Sequence, residues 1–450
     1  LDILQSSGKK SGLLIERRHR RHFSRHLLEP AANPQILQPR DFCRTLLSSP
    51  HFGGQMNLRL PHFVFALWSI VALVSGAPAL AGSATSATQP TDEVGSFPIE
   101  HWDEPMVVPI LRDGITNYFL IDTASSRSVV DVGAFRNLKP VDATVKIEAP
   151  KPTDPQLFAA PDIKVGPFLL GNDDPVLAGN FSTVRSATGL PIIGMLGLYD
   201  LSAFKLQIDY DHHKFRFLQP GEKADDPNSV TASGARVFPV TVIEQSPLVT
   251  LTIDGQPIQA LIDTSNDATV ALPAAQFQRL VSRASKPPAL HTKAFPSDTT
   301  PDRQMRLEQL EVGGFKLRNI VVEETPDSRA LIGISFLERF VATIDLFHGT
   351  LQLLPGHEID RPDRHDMSGL HLAKMPDGFL VQAVDLASPA ADAGFEAGDV
   401  LESIDGQRAD DLSIADMHER FSSGEGKQFK IDYRRGTTKL AATITLRALI

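Results

Sequence analysis

Short runs rich in Val, Ile and Leu, separated by Pro and Gly, recur along most of the chain and predict many short strands. Two pairs of runs carry the same pattern. Val107–Leu111 turns at Asp113-Gly114 and returns as Tyr118–Ile121, and Leu248–Ile253 turns at Asp254-Gly255 and returns as Ala260–Ile262. Asp-Gly between two strand-like runs is a strong hairpin signal, because both turn positions tolerate positive φ. Each hairpin's second strand runs into a triplet with its following residue, Asp122-Thr123-Ala124-Ser125 in one case and Asp263-Thr264-Ser265-Asn266 in the other.

The parallel continues downstream, so that two stretches of roughly 115 residues follow one order of events. Ile192-Ile193-Gly194 and Leu331-Ile332-Gly333 place apolar residues before a glycine, 72 and 70 residues beyond their aspartates. A short helix-like piece and a hairpin follow each glycine. The hairpins are Phe204–Asp209 with Lys214–Phe217 and Val341–Asp345 with Thr350–Leu353, and the units close at Pro220-Gly221 and Pro355-Gly356. One triplet would be unsurprising by chance; two in matching contexts point to duplication.

The chain has 450 residues, too long for a single core, and its 42% apolar and 22% charged composition is that of a globular protein. Its first part does not read as part of the fold. Arg59, the apolar run Phe63–Val74 and Ala79-Leu80-Ala81 have the three parts of a secretory signal peptide, Met56–Ala81. The apolar run is short of the roughly 20 residues needed to cross a bilayer. Upstream, the basic run Arg17–His22 is read as part of an over-extended frame whose start is Met56. Removing residues 1–81, with their 10 basic and 4 acidic side chains, leaves 34 basic against 50 acidic ones, a net charge near −16. A body that acidic is repelled by phosphate backbones, which argues against nucleic acid as a partner. Cys43, the only cysteine, goes with the leader, and with it go disulfides, thiol catalysis and Cys-based metal sites. The expected location is periplasmic or secreted, without a stable membrane anchor.

Hydrolysing a peptide bond without a metal or a covalent intermediate needs a water polarised by a base and a proton donor for the carbonyl oxygen. Two facing carboxylates supply both. At about 3 Å apart they cannot both ionise, so they share a proton. Asp122 and Asp263 are the candidates. Leu120-Ile121 and Leu261-Ile262 anchor their loops, Thr123 and Thr264 can hydrogen-bond across the lobes, and Ala124 and Ser265 are small enough for close backbone approach. On these residues and the two apolar-apolar-Gly motifs, residues 105–357 resemble the retropepsin-like aspartic proteases, in particular exported bacterial forms with two lobes and an appended PDZ domain. The resemblance implies that Gly194 and Gly333 pack near the aspartates. It also implies flaps near Ala149–Phe158 and Phe295–Arg303. Ser265 stands where the family usually has Gly, and Asp267 is placed to perturb the second aspartate.

Beyond the charged stretch His357–Met367, the pattern changes. Ser368–Leu372 leads through a Pro-Asp-Gly turn to Phe379–Val384. Ser388–Phe395 reads as a short capped helix ended by glycine, followed by Ala397–Leu401 and Ile404-Asp405-Gly406. This run is similar to the PDZ domains of bacterial exported proteases. The similarity implies that Gly369, Leu370, His371 and Leu372 form the loop for a peptide's terminal carboxylate, with the peptide added as a strand and Ile414–Phe421 as the groove's other wall. His371 replaces a residue that is commonly glycine there.

The expected organisation is an upstream extension (1–55), a signal peptide (56–81), a linker (82–104), lobe 1 (105–221), a linker (222–237), lobe 2 (238–357), a linker (358–367) and a PDZ-like α+β domain (368–450), in a mainly β chain. His212-His213 reads as solvated turn residues. Asp298-Thr299-Thr300 mimics the triplet without its apolar strand, and no Gly-x-Ser-x-Gly, Gly-x-Gly-x-x-Gly or Walker-type loop is present. The expected activity is that of an aspartic-type endopeptidase acting on proteins or peptides, with no metal or organic cofactor and peptide C-termini docking on the PDZ domain. The alternative is a non-catalytic periplasmic binding module that keeps the fold.

Overall fold

The computed structural model describes residues 92–99, 105–144, 156–170, 174–223, 225–291 and 302–450. The expected upstream extension, the signal peptide, Cys43, Asp298-Thr299-Thr300 and most of both expected flaps lie outside the described residues.

Lobe 1 contains strands β1 (Glu93–Pro98), β2 (Val107–Arg112), β3 (Ile115–Ile121) and β4 (Val129–Asp131), helix α1 (Ser182–Thr188), β5 (Ile192–Leu196), helix α2 (Leu198–Leu201), β6 (Lys205–Asp209) and β7 (Lys214–Leu218). Lobe 2 repeats the plan. It has β8 (Arg236–Ile243), β9 (Ser246–Ile253), β10 (Gln256–Ile262), β11 (Val270–Pro273), helix α3 (Ala274–Leu280), the long hairpin β12 (Asp302–Val312) and β13 (Phe315–Thr325), β14 (Ala330–Ile332), helix α4 (Ile334–Leu337), β15 (Phe340–Asp345) and β16 (Thr350–Pro355).

Both Asp-Gly turns have positive φ at each residue, 51° and 77° at Asp113-Gly114 and 49° and 77° at Asp254-Gly255. That conformation matches the right-handed twist of the flanking strands. The strand behind each turn then takes a parallel neighbour from far along the chain. β3 lies beside β5 with Ile121 opposite Leu196, and β10 beside β14 with Ile262 opposite Ile332. The third strand in each lobe, β4 or β11, pairs antiparallel to that neighbour.

A sheet in the order β1-β7-β6-β15-β16-β8 joins the lobes. At its centre β6 and β15 run antiparallel, with Gln207 opposite Thr343, Lys205 opposite Asp345 and Asp209 opposite Val341. An approximate twofold axis therefore passes between Gln207 and Thr343. One face of this sheet buries Leu206, Ile208, Phe215, Phe217, Ala342, Ile344, Leu351 and Leu353. The Lys205–Asp345 ion pair at 3.3 Å and the Gln207–Thr343 hydrogen bond at 3.1 Å tie β6 to β15. The symmetry extends to the turns, where Asp209 holds His212 Nδ1 at 2.9 Å and Asp345 holds His348 Nδ1 at 2.7 Å. His212 is thus partnered within its own turn.

The C-terminal unit comprises β17 (Leu370–Met375), β18 (Gly378–Val384), helix α5 (Pro389–Asp392), β19 (Val400–Ile404), helix α6 (Ile414–Phe421), β20 (Gln428–Arg435) and β21 (Thr438–Thr445). Its sheet runs β17-β18-β19-β20-β21, with β17 at an edge. A capping box between Ser413 and Asp416 starts α6, and Ile414, Met417 and Phe421 face the core at helical spacing. α5 starts on a Ser388 cap with Pro389 at its first position.

Three stretches expected as linkers carry structure. Glu93–Pro98 is an edge strand, because its alternation lets it pair with β7, and Arg236–Val237 opens β8. The stretch 358–367 is held by Asp363, whose carboxylate sits on the guanidinium of Arg339, a fully buried side chain. Arg339 also donates to Ile359 O at 3.1 Å and Arg361 O at 2.6 Å. Its charge pattern reads as solvated only while the buried arginine it neutralises is out of view. Arg339→Ala, which removes the guanidinium paired with the buried Asp363, is expected to lower stability by roughly 3–5 kcal/mol in urea unfolding. Arg318→Ala, at the exposed pair with Asp360, is expected to cost less than about 1 kcal/mol.

Candidate active site

Asp122 and Asp263 follow directly on β3 and β10, and each is placed by its own backbone. Asp122 N donates to Leu196 O at 3.0 Å and Asp263 N to Ile332 O at 3.1 Å, which extends each parallel pair by one residue. The two loops are then bound to each other. Thr123 N donates to Thr264 Oγ1 at 3.1 Å and Thr264 N to Thr123 Oγ1 at 3.2 Å. The hydroxyls donate in turn across the lobes, Thr123 Oγ1 to Ile262 O at 2.7 Å and Thr264 Oγ1 to Ile121 O at 2.9 Å. Both threonines and both aspartates are buried.

Each carboxylate is also held within its loop. Asp122 Oδ1 accepts from Ala124 N at 2.9 Å and Ser125 N at 3.1 Å. Asp263 Oδ1 accepts from Ser265 N at 3.0 Å and Ser265 Oγ at 2.9 Å. Burial pushes the Asp122 carboxyl up to about 7, helped by the negative charge of Asp263 and opposed by the Ser125 and Ala124 N–H groups and the Ser265 hydroxyl. Ser265 therefore acts on both aspartates, which a glycine at that position would not do.

The glycine expected to match Gly333 is displaced by three residues. Gly333 follows β14 and starts α4; a Cβ there would lie 2.5 Å from both Asn266 O and Ala268 O. In lobe 1 this place belongs to Gly197, which follows β5 and starts α2; its Cβ would lie 2.3 Å from Arg127 C. The next amides match as well, Leu198 N donating to Ser125 O at 2.7 Å and Ile334 N to Asn266 O at 2.8 Å. Gly194 instead sits within β5, paired with Phe119, whose ring would meet its Cβ at 2.4 Å. The sequence Ile-Ile-Gly-Met-Leu-Gly offers two apolar-apolar-Gly motifs, and only the pairing of Leu196 with Ile121 selects the second. The hydroxyls of Ser128 and Thr269 were also missed. Each lies six residues beyond Asp122 or Asp263, a coincidence between the repeats that was visible in the sequence.

In the C-terminal unit, Gly369 to Leu372 run from a turn into β17. Asp366 Oδ1 accepts from Ser368 N and Gly369 N, both at 2.8 Å, and from Ser368 Oγ at 2.7 Å. The Leu370 N–H is taken by Ser368 Oγ at 3.0 Å. Two of the amides expected to greet a peptide carboxylate are thus engaged within the turn. His371 is buried, with Nε2 2.8 Å from Asp385 Oδ1. α6, expected as the groove's second wall, packs beside β17. α1 of lobe 1 lies against β17, and a Cβ on Gly189 would come within 3.5 Å of Lys374 and 4.0 Å of Ile414. Among the described residues no group of three His, Cys, Asp or Glu side chains is gathered to hold a metal ion, and no helix is long and apolar enough to cross a membrane.

Residues 249–339 match the family model described as "gag-polyprotein putative aspartyl protease", and residues 380–435 match that of a PDZ domain. Within a mainly β chain, residues 249–339 are thus similar to an aspartyl protease family and residues 380–435 to PDZ domains. Among solved structures, it is similar to a retropepsin-like aspartic protease from Rickettsia conorii, at 19% identity over 27% of this chain and 90% of that one, with a TM-score of 0.21. It is similar to the photosystem II D1 C-terminal processing protease at 20% identity over 19% of this chain and 24% of that one, with a TM-score of 0.18. The HtrA3 PDZ domain bound to a phage-derived ligand matches at 18% identity over 19% of this chain and 88% of that one, with a TM-score of 0.17. No curated protein matches the chain.

Thr123→Val and Thr264→Val each leave the partner's buried N–H without its acceptor and are expected to cost about 1–3 kcal/mol in urea unfolding. Asp122 holds its proton more tightly in the folded chain than at its ordinary value of 3.8, so this contribution to stability is complete below 3.8 and is lost as pH rises through about 7. Asp122→Asn is expected to remove that slope from stability measured across the same range.

Proposed function

We propose that the chain is an aspartic-type endopeptidase in which Asp122 and Asp263 activate one water between them. The observation that carries this reading is the reciprocal threonine exchange, which binds two buried aspartate loops face to face across the lobes. Asp122, raised to about 7, holds a proton near neutral pH. Asp263, whose Oδ1 takes the Ser265 N–H and hydroxyl, is the proposed base. As Asp263 takes a proton from water, the water oxygen bonds to the peptide carbonyl carbon and Asp122 protonates the carbonyl oxygen. Collapse of the resulting diol breaks the C–N bond: one diol hydroxyl returns its proton to Asp122, and the proton held on Asp263 leaves with the amine. Proteins or peptides are the substrates. The PDZ domain is proposed to dock peptides beside β17, with peptide C-termini as its ligands, and α1 of lobe 1, which lies against β17, must move aside for them. The signal-like segment 56–81 supports export to the periplasm or beyond.

Cleavage of an unfolded protein between about pH 3 and 8, with and without a transition-state-mimicking aspartic protease inhibitor, tests the reading. Asp122→Asn and Asp263→Asn are each expected to lower kcat by roughly 10²–10⁴-fold while the fold persists. Wild-type cleavage is expected to fall as pH rises past about 7, where Asp122 loses its proton. Capture of the unfolded protein with no cleavage at any pH favours the non-catalytic binding module instead.

A further inference from the structure

The two dyad loops end on equivalent hydroxyls that are anchored differently. In lobe 1, Ser128 Oγ donates to Asp200 on α2 and accepts from Gly197 N at 3.1 Å, so the anchor lies inside the lobe. Asp200 is the third residue beyond Gly197. The third residue beyond Gly333 is Phe336, fully buried in the apolar core, so lobe 2 has no carboxylate in that place. Thr269 Oγ1 instead donates at 2.6 Å to Asp363, which lies beyond the repeat, in the stretch leading to the PDZ domain.

Asp363 is fixed from several sides. Its Oδ2 also accepts from Val321 N at 2.6 Å, and its Oδ1 sits on Arg339 Nη2. Its own N–H donates to Asn319 O at 3.0 Å, and its carbonyl accepts from Arg306 Nη1 at 3.1 Å. Thr269, Asp363 and Arg339 are all buried. On the peptidase reading, the loop from Asp263 to Ala268 needs both ends held. Its entry is held by β10 and by the threonine exchange; its exit is held by Thr269.

We propose that Asp363 is a positioning residue for the second dyad aspartate, acting through Thr269, so that the connector to the PDZ domain forms part of the support of the active site. This inference rests on the peptidase reading. A misplacement of about 1 Å in a reacting group can cost roughly 10²-fold in rate, so slack at the loop's exit reaches the chemistry.

Thr269→Val in the full chain keeps the side-chain volume and the Arg339–Asp363 pair and removes only the link. It is expected to lower kcat on an unfolded protein roughly tenfold or more with KM little changed, and to weaken a transition-state-mimicking inhibitor in proportion. Thr269→Ser is expected to restore both, and Asp363→Asn, if it folds, to resemble Thr269→Val. Wild-type kcat and inhibitor affinity in Thr269→Val overturn the proposal. If the wild-type chain neither cleaves nor binds the inhibitor, the peptidase reading itself fails, and hydrogen exchange decides the latch. Faster exchange confined to Thr264–Ala268 in Thr269→Val supports it, and unchanged exchange overturns it.

Discussion

Two buried aspartates stay close only because something stronger than their mutual repulsion holds their backbones together. Here that is the exchange between Thr123 and Thr264, in which each N–H meets the other's hydroxyl and each hydroxyl reaches the carbonyl that closes the opposite lobe's strand. All of these groups are buried, so none has water as an alternative partner, and separating the lobes leaves polar atoms unsatisfied on both sides. The raised pKa of Asp122 is the electrostatic consequence: a carboxyl held out of water beside another carboxylate keeps its proton. The central β6–β15 pairing supports the same arrangement from below, since it fixes the axis about which the two loops meet.

That symmetry is approximate, and its departures are informative. The two lobes share strand order, turn chemistry and the glycine that lets each Asp loop press on its neighbour. They differ where lobe 1 keeps Asp200 and lobe 2 has Phe336. The apolar residue enlarges the core around Phe340, with ring centroids 5.1 Å apart, at the expense of the local anchor. A residue from the connector then satisfies the hydroxyl that remains. Asp363 serves two needs at once, as counter-charge to the buried Arg339 and as acceptor for Thr269.

The C-terminal unit is joined to lobe 1 by more than the chain. β17 is an edge strand, and such edges are where peptides add as a further strand. Lobe 1 approaches that edge through α1 and Gly189, near Lys374 and Ile414. α1 is in turn anchored on its own lobe by Arg185, which pairs with the buried Asp131 at 3.2 Å and donates to Ile192 O at 3.0 Å. The turn before β17 is ordered by Asp366 from the same connector that carries Asp363.

Much of this was legible before any coordinates. Asp-Gly turns, the strands beside them, the two Asp-Thr triplets and the capped helix after Ser388 depend on neighbours within a few residues, and local chemistry suffices to read them. The duplication added a long-range inference, because a repeated pattern implies a repeated fold. What stayed hidden depends on partners distant in sequence. Gly194 and Gly197 follow equally plausible apolar pairs, and only the register of β5 against β3 distinguishes them. Glu93–Pro98 and the stretch around Asp363 read as linkers because their partners, β7 and Arg339, are far along the chain. Sequence alone therefore determined most of the strand-forming segments and which side chains are candidates for the chemistry. Tertiary structure decided which backbones meet and which buried charge each acidic residue answers, because register and desolvation exist only once distant segments have packed.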